Sequence, residues 1–140
     1  MMSSIDQICD RPTVLVIDDD PSVAVAIKRV LKGIVRLISA DNAKTGRDLI
    51  VAMPSIDLVI LDIYLPGYDA IGLLRDLYKM NLYPRVVIIS GWNKSVLDEV
   101  DIFAKSMAFP VVGTFEKPVD MHKVLLAAGI HTGAKVSDSK

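Results

Sequence analysis

What this chain lacks narrows its function before any motif is read. It has a single cysteine, Cys9, with no metal-ligand companions around it. No disulfide can form within the chain, a usage that suits a reducing compartment. No run of about 18 apolar residues exists, so a membrane-spanning helix is excluded. The N-terminus, MMSSIDQICDRP, has neither a basic region nor an apolar signal core. The expectation is a cytoplasmic protein without membrane association. Positive charge is not in excess either: 16 Lys and Arg against 17 Asp and Glu leave a net charge of -1. Nothing in the composition recruits nucleic acid or anionic lipid. Internal repeats and low-complexity tracts are also missing.

What is present is a globular mixture of 140 residues, 51% apolar and 24% charged, enough for one core and one domain. Residues 1–11 read as a flexible arm, residues 12–128 as the folded domain and residues 129–140 as a flexible tail. Thr13 to Asp18 is a short β-branched run, the pattern of a strand buried on both faces, and it stops in three aspartates. Asp20 before Pro21 suits the cap of a helix running to about Lys32, with Val23, Ile27, Val30 and Leu31 inward and Gly33 closing it. Ile34 to Ser39 is a second strand. Asp41 or Asn42 caps a helix through Leu49, Ile50 and Met53 that Pro54 ends. Leu58 to Leu61 is the third strand; it stops at Asp62, and Pro66-Gly67 prevent its continuation. Asp69 caps a third helix through Ile71, Leu74, Leu77 and Tyr78, and Arg85 to Ser90 is the fourth strand. A helix from about Lys94 to Met107 turns Val96, Leu97, Val100, Phe103 and Ala104 inward. Val111 to Lys117 is the fifth strand, and Met121 to Ala128 a last short helix.

Strict alternation with short connections predicts an α/β fold, a doubly wound parallel sheet with helices on both faces. In such a sheet all strand carboxyl ends share one edge, where open α/β sheets hold their ligands. Strands one, three, four and five end at Asp18/Asp19, Asp62, Ser90 and Lys117. Taken singly these residues are ordinary: a helix-capping aspartate run, a solvated lysine, a lone serine. Gathered at one edge they are not. Three carboxylates repel one another unless a cation neutralises them, and an all-oxygen ligand set favours Mg²⁺, which often completes its shell with phosphate oxygens. The Lys117 ammonium can pair with Asp62 and then with a phosphoryl group attached to it. Ser90, beside Gly91 with its allowance for close approach, can donate to the same oxygens. A carboxylate nucleophile, a divalent cation, an ammonium and a hydroxyl are what phosphoryl transfer to an aspartate requires.

This set of Asp18-Asp19, Asp62, Ser90-Gly91 and Lys117-Pro118 resembles the receiver domain of bacterial two-component response regulators, over about residues 12–128. The resemblance implies a flavodoxin-like five-stranded sheet of order 2-1-3-4-5. It makes Asp62 the phospho-acceptor and has Asp19 and Asp62 bind Mg²⁺ directly, Asp18 through water, with the backbone carbonyl of Tyr64 completing the protein ligands. Ser90 and Lys117 become the groups that hold the phosphoryl oxygens and pass on the switch. A sensor histidine kinase or phosphotransfer protein is implied as donor, and an output domain or partner protein as receiver of the signal. There is room for a homodimer on phosphorylation. Such a domain catalyses only its own phosphorylation and dephosphorylation, as a signalling switch.

The chain departs from the family pattern at three places. Ala70 stands where the family often has glycine. Thr114, three residues before Lys117, takes the position of a switch side chain that is usually aromatic, with Phe115 next to it on the opposite strand face. Tyr64 and Trp92, two residues beyond Asp62 and Ser90, flank the phosphate together with Gly91. Two aromatics there are expected to restrict attacking water and lengthen the phosphorylated state. His122 and His131 have no visible partner and are not read as phosphodonors. Two other readings stand beside the receiver. A Mg²⁺-dependent phosphatase of the haloacid-dehalogenase type turns over through an aspartyl phosphate, but wants a second aspartate where this chain has Tyr64. A phosphorylation-independent interaction module has no need of all the site groups.

Overall fold

Three short aliphatic runs, stopped by Asp18, Asp62 and Ser90, form the centre of the sheet, and two more polar strands form its edges. The computed structural model describes residues 11–31, 33–63, 70–91 and 94–130. In it β1 is Thr13–Ile17, β2 Arg36–Ala40, β3 Leu58–Asp62, β4 Val86–Ser90 and β5 Val111–Glu116. Between and after them lie α1 (Ser22–Leu31), α2 (Ala43–Ala52), α3 (Ala70–Lys79), α4 (Lys94–Ser106) and α5 (Met121–Ala127). All neighbouring strands are parallel, in the order β2-β1-β3-β4-β5. This is the flavodoxin-like order expected from the sequence.

Side-chain alternation along the strands divides the core in two. Leu15, Ile17, Val59, Leu61 and Ile88 point to one face, covered by α2, α3 and α4 through Ile50, Leu73, Leu74, Leu77, Leu97 and Val100. Val14, Val16, Ile60, Val87 and Ile89 point to the other, covered by α1 and α5 through Val23, Ile27, Leu31, Val124 and Leu125. The three inner strands β1, β3 and β4 are buried along their whole length, which is why they read as unbroken apolar runs.

The second strand begins two residues later than the sequence suggests. Gly33 adopts φ +82°, and the amides of Ile34 and Val35 both donate back to the Leu31 carbonyl. These two apolar residues therefore complete the C-terminal turn of α1. Pairing with β1 starts only at Arg36, whose N–H reaches the Pro12 carbonyl at 2.7 Å. Tyr78, in the last turn of α3, is 46% exposed and sets its ring edge-on to Tyr83 at 6.3 Å. Asn42, of the two candidates, caps α2, its side chain accepting from the Thr45 amide. The expected cap at Asp69 lies outside the described residues. β5 ends at Glu116, one residue before Lys117, and carries an extra residue near its start: Val86 aligns with Val111 but Val87 with Gly113, so Val112 forms a β-bulge.

Candidate functional site

The site is made by where β1 and β3 stop. Ile17 aligns with Leu61, so Asp18, just past the end of β1, stands beside Asp62, the last residue of β3. Both are buried, at 6% and 3% exposure, while Asp19 turns to solvent. Carboxylate oxygens of Asp18, Asp19 and Asp62 all lie within 4.8 Å of one another. The turn holding them is tied down at both ends. The Asp18 amide donates to the Ala40 carbonyl of β2 at 3.0 Å, and Asp18 Oδ1 accepts from the Asp20 amide at 2.9 Å.

Asp20 stands outside this group. Its Oδ1 accepts from the Ser22 amide at 3.0 Å, and that N–H, followed by the Ser22 hydroxyl, holds its carboxyl below the ordinary 3.8. Asp20 is thus a cap at the start of α1, as its position before Pro21 suggests.

Lys117 closes the site from β5. Its Nζ stands 2.8 Å from Asp18 Oδ2 and 3.2 Å from Asp62 Oδ2, a double pairing that the sequence shows only for Asp62. Burial pushes the ammonium pKa down, but the two carboxylates outweigh it and hold it above the ordinary 10.5. Apart from this ion pair, the buried Asp18 Oδ2 has no hydrogen-bond partner among the described residues. A buried, charged oxygen with unused acceptor capacity beside two further carboxylates fits a hard divalent cation such as Mg²⁺.

Ser90 ends β4 at 1% exposure, and its carbonyl accepts from the Lys117 amide at 2.7 Å, so β4 fixes where the lysine begins. The Lys117 stem lies across Gly91. A β-carbon at that glycine would sit 3.4 Å from Lys117 Cδ, an ordinary contact, so this approach does not require glycine. Thr114 aligns with Ile88 and so faces the α2–α4 side, whereas Phe115 aligns with Ile89 and packs with the α1/α5 core. Tyr64 and Trp92, with the carbonyl expected to ligate metal, lie outside the described residues, as does His131. His122 sits exposed on the first turn of α5, 3.9 Å from Asp120. A cleft of about 450 Å³ opens beside Lys117, floored by Val23, Ala26, Val119 and Met121 and edged by Asp20.

Fold and site together define the class: a flavodoxin-like domain with an acidic pocket and one lysine at the carboxyl edge of its sheet. The model of the response regulator receiver domain matches residues 14–128, and the chain belongs to this family of bacterial two-component signalling domains. It is 30% identical over 112 residues to the transcriptional regulatory protein MalR of Bacillus subtilis, 79% of this chain and 46% of MalR. To the chemotaxis protein CheY of Treponema pallidum it is 31% identical over 115 residues, 80% of this chain and 76% of CheY. A solved response regulator receiver protein from Pseudomonas putida superposes with a TM-score of 0.69 at 27% identity, covering 86% of this chain and 98% of that one. The chain spans less than half the length of MalR. No helix among the described residues is long and apolar enough to cross a membrane.

Proposed function

We propose that the domain accepts a phosphoryl group on Asp62 from a histidine kinase or phosphotransfer protein and passes the change to an output domain or partner protein. The observation that carries this reading is the meeting of three carboxylates within 4.8 Å beneath a lysine that pairs with two of them. An ionised Asp62 oxygen attacks the phosphorus of a phosphohistidine; the P–O bond forms as the P–N bond breaks, and the imidazole leaves with the electron pair. Asp18, Asp19 and Asp62 would hold Mg²⁺, with the Tyr64 carbonyl as a further ligand. Bound Mg²⁺ supplies charge neutralisation for the carboxylates and the phosphoryl oxygens. Lys117 leaves Asp18 to take a phosphoryl oxygen, and Ser90 donates a hydrogen bond to another. Its place at the end of a fully buried strand means that Ser90 can reorient only by rotating its own hydroxyl-bearing side chain or by drawing β4 with it.

With Thr114 in place of an aromatic, the displacement of Lys117 is the primary signal in this account, and Phe115 serves packing on the other face. The domain works in the cytoplasm without touching nucleic acid or membrane, and homodimerisation on phosphorylation is compatible with this reading; its packed core reaches past residue 128, because Ile130 is buried with Val124 and Leu125. Incubation with Mg²⁺ and acetyl phosphate tests it. One lasting acyl phosphate per chain supports the receiver. Continuous release of inorganic phosphate would instead mark a phosphatase, and no labelling an interaction module.

A further inference from the structure

α2 has a glycine in its interior, on its buried face between Ala43 and Ile50. Helix interiors disfavour glycine, and the packing supplies a reason for it. A β-carbon at Gly46 would lie 2.4 Å from Ile17 Cδ1, 2.7 Å from Cγ1 and 3.3 Å from Cγ2. Rotating the terminal methyl away relieves only the first contact. Cγ1 and Cγ2 are placed by χ1, which is stiff in a β-branched side chain, and Ile17 is fully buried. In a close-packed interior such a side chain has little empty space to move into.

Ile17 is also the last residue of β1, directly before Asp18 and Asp19. It aligns with Ala40 of β2 and with Leu61, the residue before Asp62. α2 is fastened to the same edge, because Asn42, two residues beyond Ala40, caps it. A wedge between Gly46 and Ile17 therefore bears on the carboxylates from both sides. It presses inward through the Ile17 backbone onto Asp18, and outward through α2 and β2 onto the Asp18 N–H to Ala40 C=O bond.

We propose that Gly46 and Ile17 form a positioning pair: the bare backbone at Gly46 lets α2 seat against Ile17, and this seating places Asp18 and Asp19 for a divalent cation shared with Asp62. The inference rests on the reading of these carboxylates as a Mg²⁺ site. Mg²⁺ demands near-ideal octahedral geometry, and losing the hydrogen bonds that orient metal ligands typically costs about 10–100-fold in affinity, the scale expected of a displaced ligand backbone as well.

The test is a double-mutant cycle read by calorimetric titration with Mg²⁺, with thermal unfolding followed alongside. Gly46→Ala is expected to weaken Mg²⁺ binding by about tenfold or more. In the Ile17→Ala background, where all three crowding atoms are gone, adding Gly46→Ala should leave Mg²⁺ affinity unchanged to within about twofold. Gly46→Ala with Ile17→Val removes Cδ1, the nearest of the crowding atoms, and should fall between, which also serves if Gly46→Ala alone is too unstable to titrate. A merely structural pair would lower the unfolding temperature and leave Mg²⁺ affinity alone. Undiminished binding by Gly46→Ala, or an equal loss in both backgrounds, overturns the pair while leaving the metal site standing. A wild-type protein that takes up no Mg²⁺ overturns the metal reading itself, and the pair's role with it.

Discussion

Replacing Lys117 by Met removes the charge that holds the acidic edge together while keeping an apolar side chain of similar reach. The Nζ lies 2.8 and 3.2 Å from oxygens of Asp18 and Asp62, whose side chains are only 1% and 5% exposed, against 20% for the lysine. At an effective dielectric of about 20, contacts at these distances are each worth about 5–6 kcal/mol of gross attraction. Most of this is offset by the cost of taking three charges out of water. Removing one member cancels the attraction but leaves the other two desolvated, which costs about 3–5 kcal/mol. Against an ordinary domain stability of about 5–15 kcal/mol, that is a large fraction. Urea unfolding at neutral pH without divalent cations should show the loss directly. Adding Mg²⁺ should then stabilise Lys117→Met more than the wild type, because the cation meets carboxylates without a competing ammonium. At about 100 times its Kd, Mg²⁺ contributes about 2.7 kcal/mol, enough to recover much of the deficit. A variant as stable as the wild type without metal, or one that gains less from Mg²⁺ than the wild type, refutes the reasoning.

Three further outcomes rest on particular residues. The Lys117 pKa is held above 10.5 in the folded state; a group raised on folding contributes stability below its unfolded value and loses it as pH climbs through the folded one. Urea stability should accordingly fall as pH rises past 10.5, and Lys117→Met should lack this component of the fall. Asn42→Ala removes the side-chain acceptor for the Thr45 amide at 2.8 Å and should cost about 1 kcal/mol in thermal or urea unfolding; no change would mean that water satisfies the amide equally well. Replacing Tyr64 and Trp92 together by serine should speed loss of the phosphoryl group from Asp62, measured after donor removal, and an unchanged rate would deny the aromatics any part in its lifetime.

The site was legible because it is built from strand ends. Once TVLVI, LVIL and VVIIS are recognised as strands buried on both faces, parallel order carries Asp18, Asp62 and Ser90 to one edge with no further information. What stayed hidden depends on distances that sequence does not encode. Ile34 and Val35 have the composition of a strand but serve the closing turn of α1, because Gly33 in the left-handed region lets their amides fold back onto Leu31. Tyr78 follows Leu74 and Leu77 at helical spacing, yet sits half-exposed in the last turn of α3 with its ring against Tyr83. The bulge at Val112 leaves no mark among similar aliphatic residues. That Lys117 reaches Asp18 as well as Asp62 depends on the lateral placement of β5 and on the lysine lying across Gly91. Gly46 has the look of an ordinary weak point in a helix, and only its clearance from Ile17 shows otherwise.

The central claim is that Asp62 takes the phosphoryl group and that the neighbouring carboxylates serve it through a divalent cation. Intact-mass analysis with subsequent peptide mapping, on protein incubated with acetyl phosphate, tests this most directly. The account predicts a single phosphoryl group, located on Asp62, lost under hydroxylamine as an acyl phosphate is, and missing both from Asp62→Asn and from wild type treated with a chelator. Modification that persists in Asp62→Asn at the wild-type level, or that proceeds equally well without divalent cation, would contradict it.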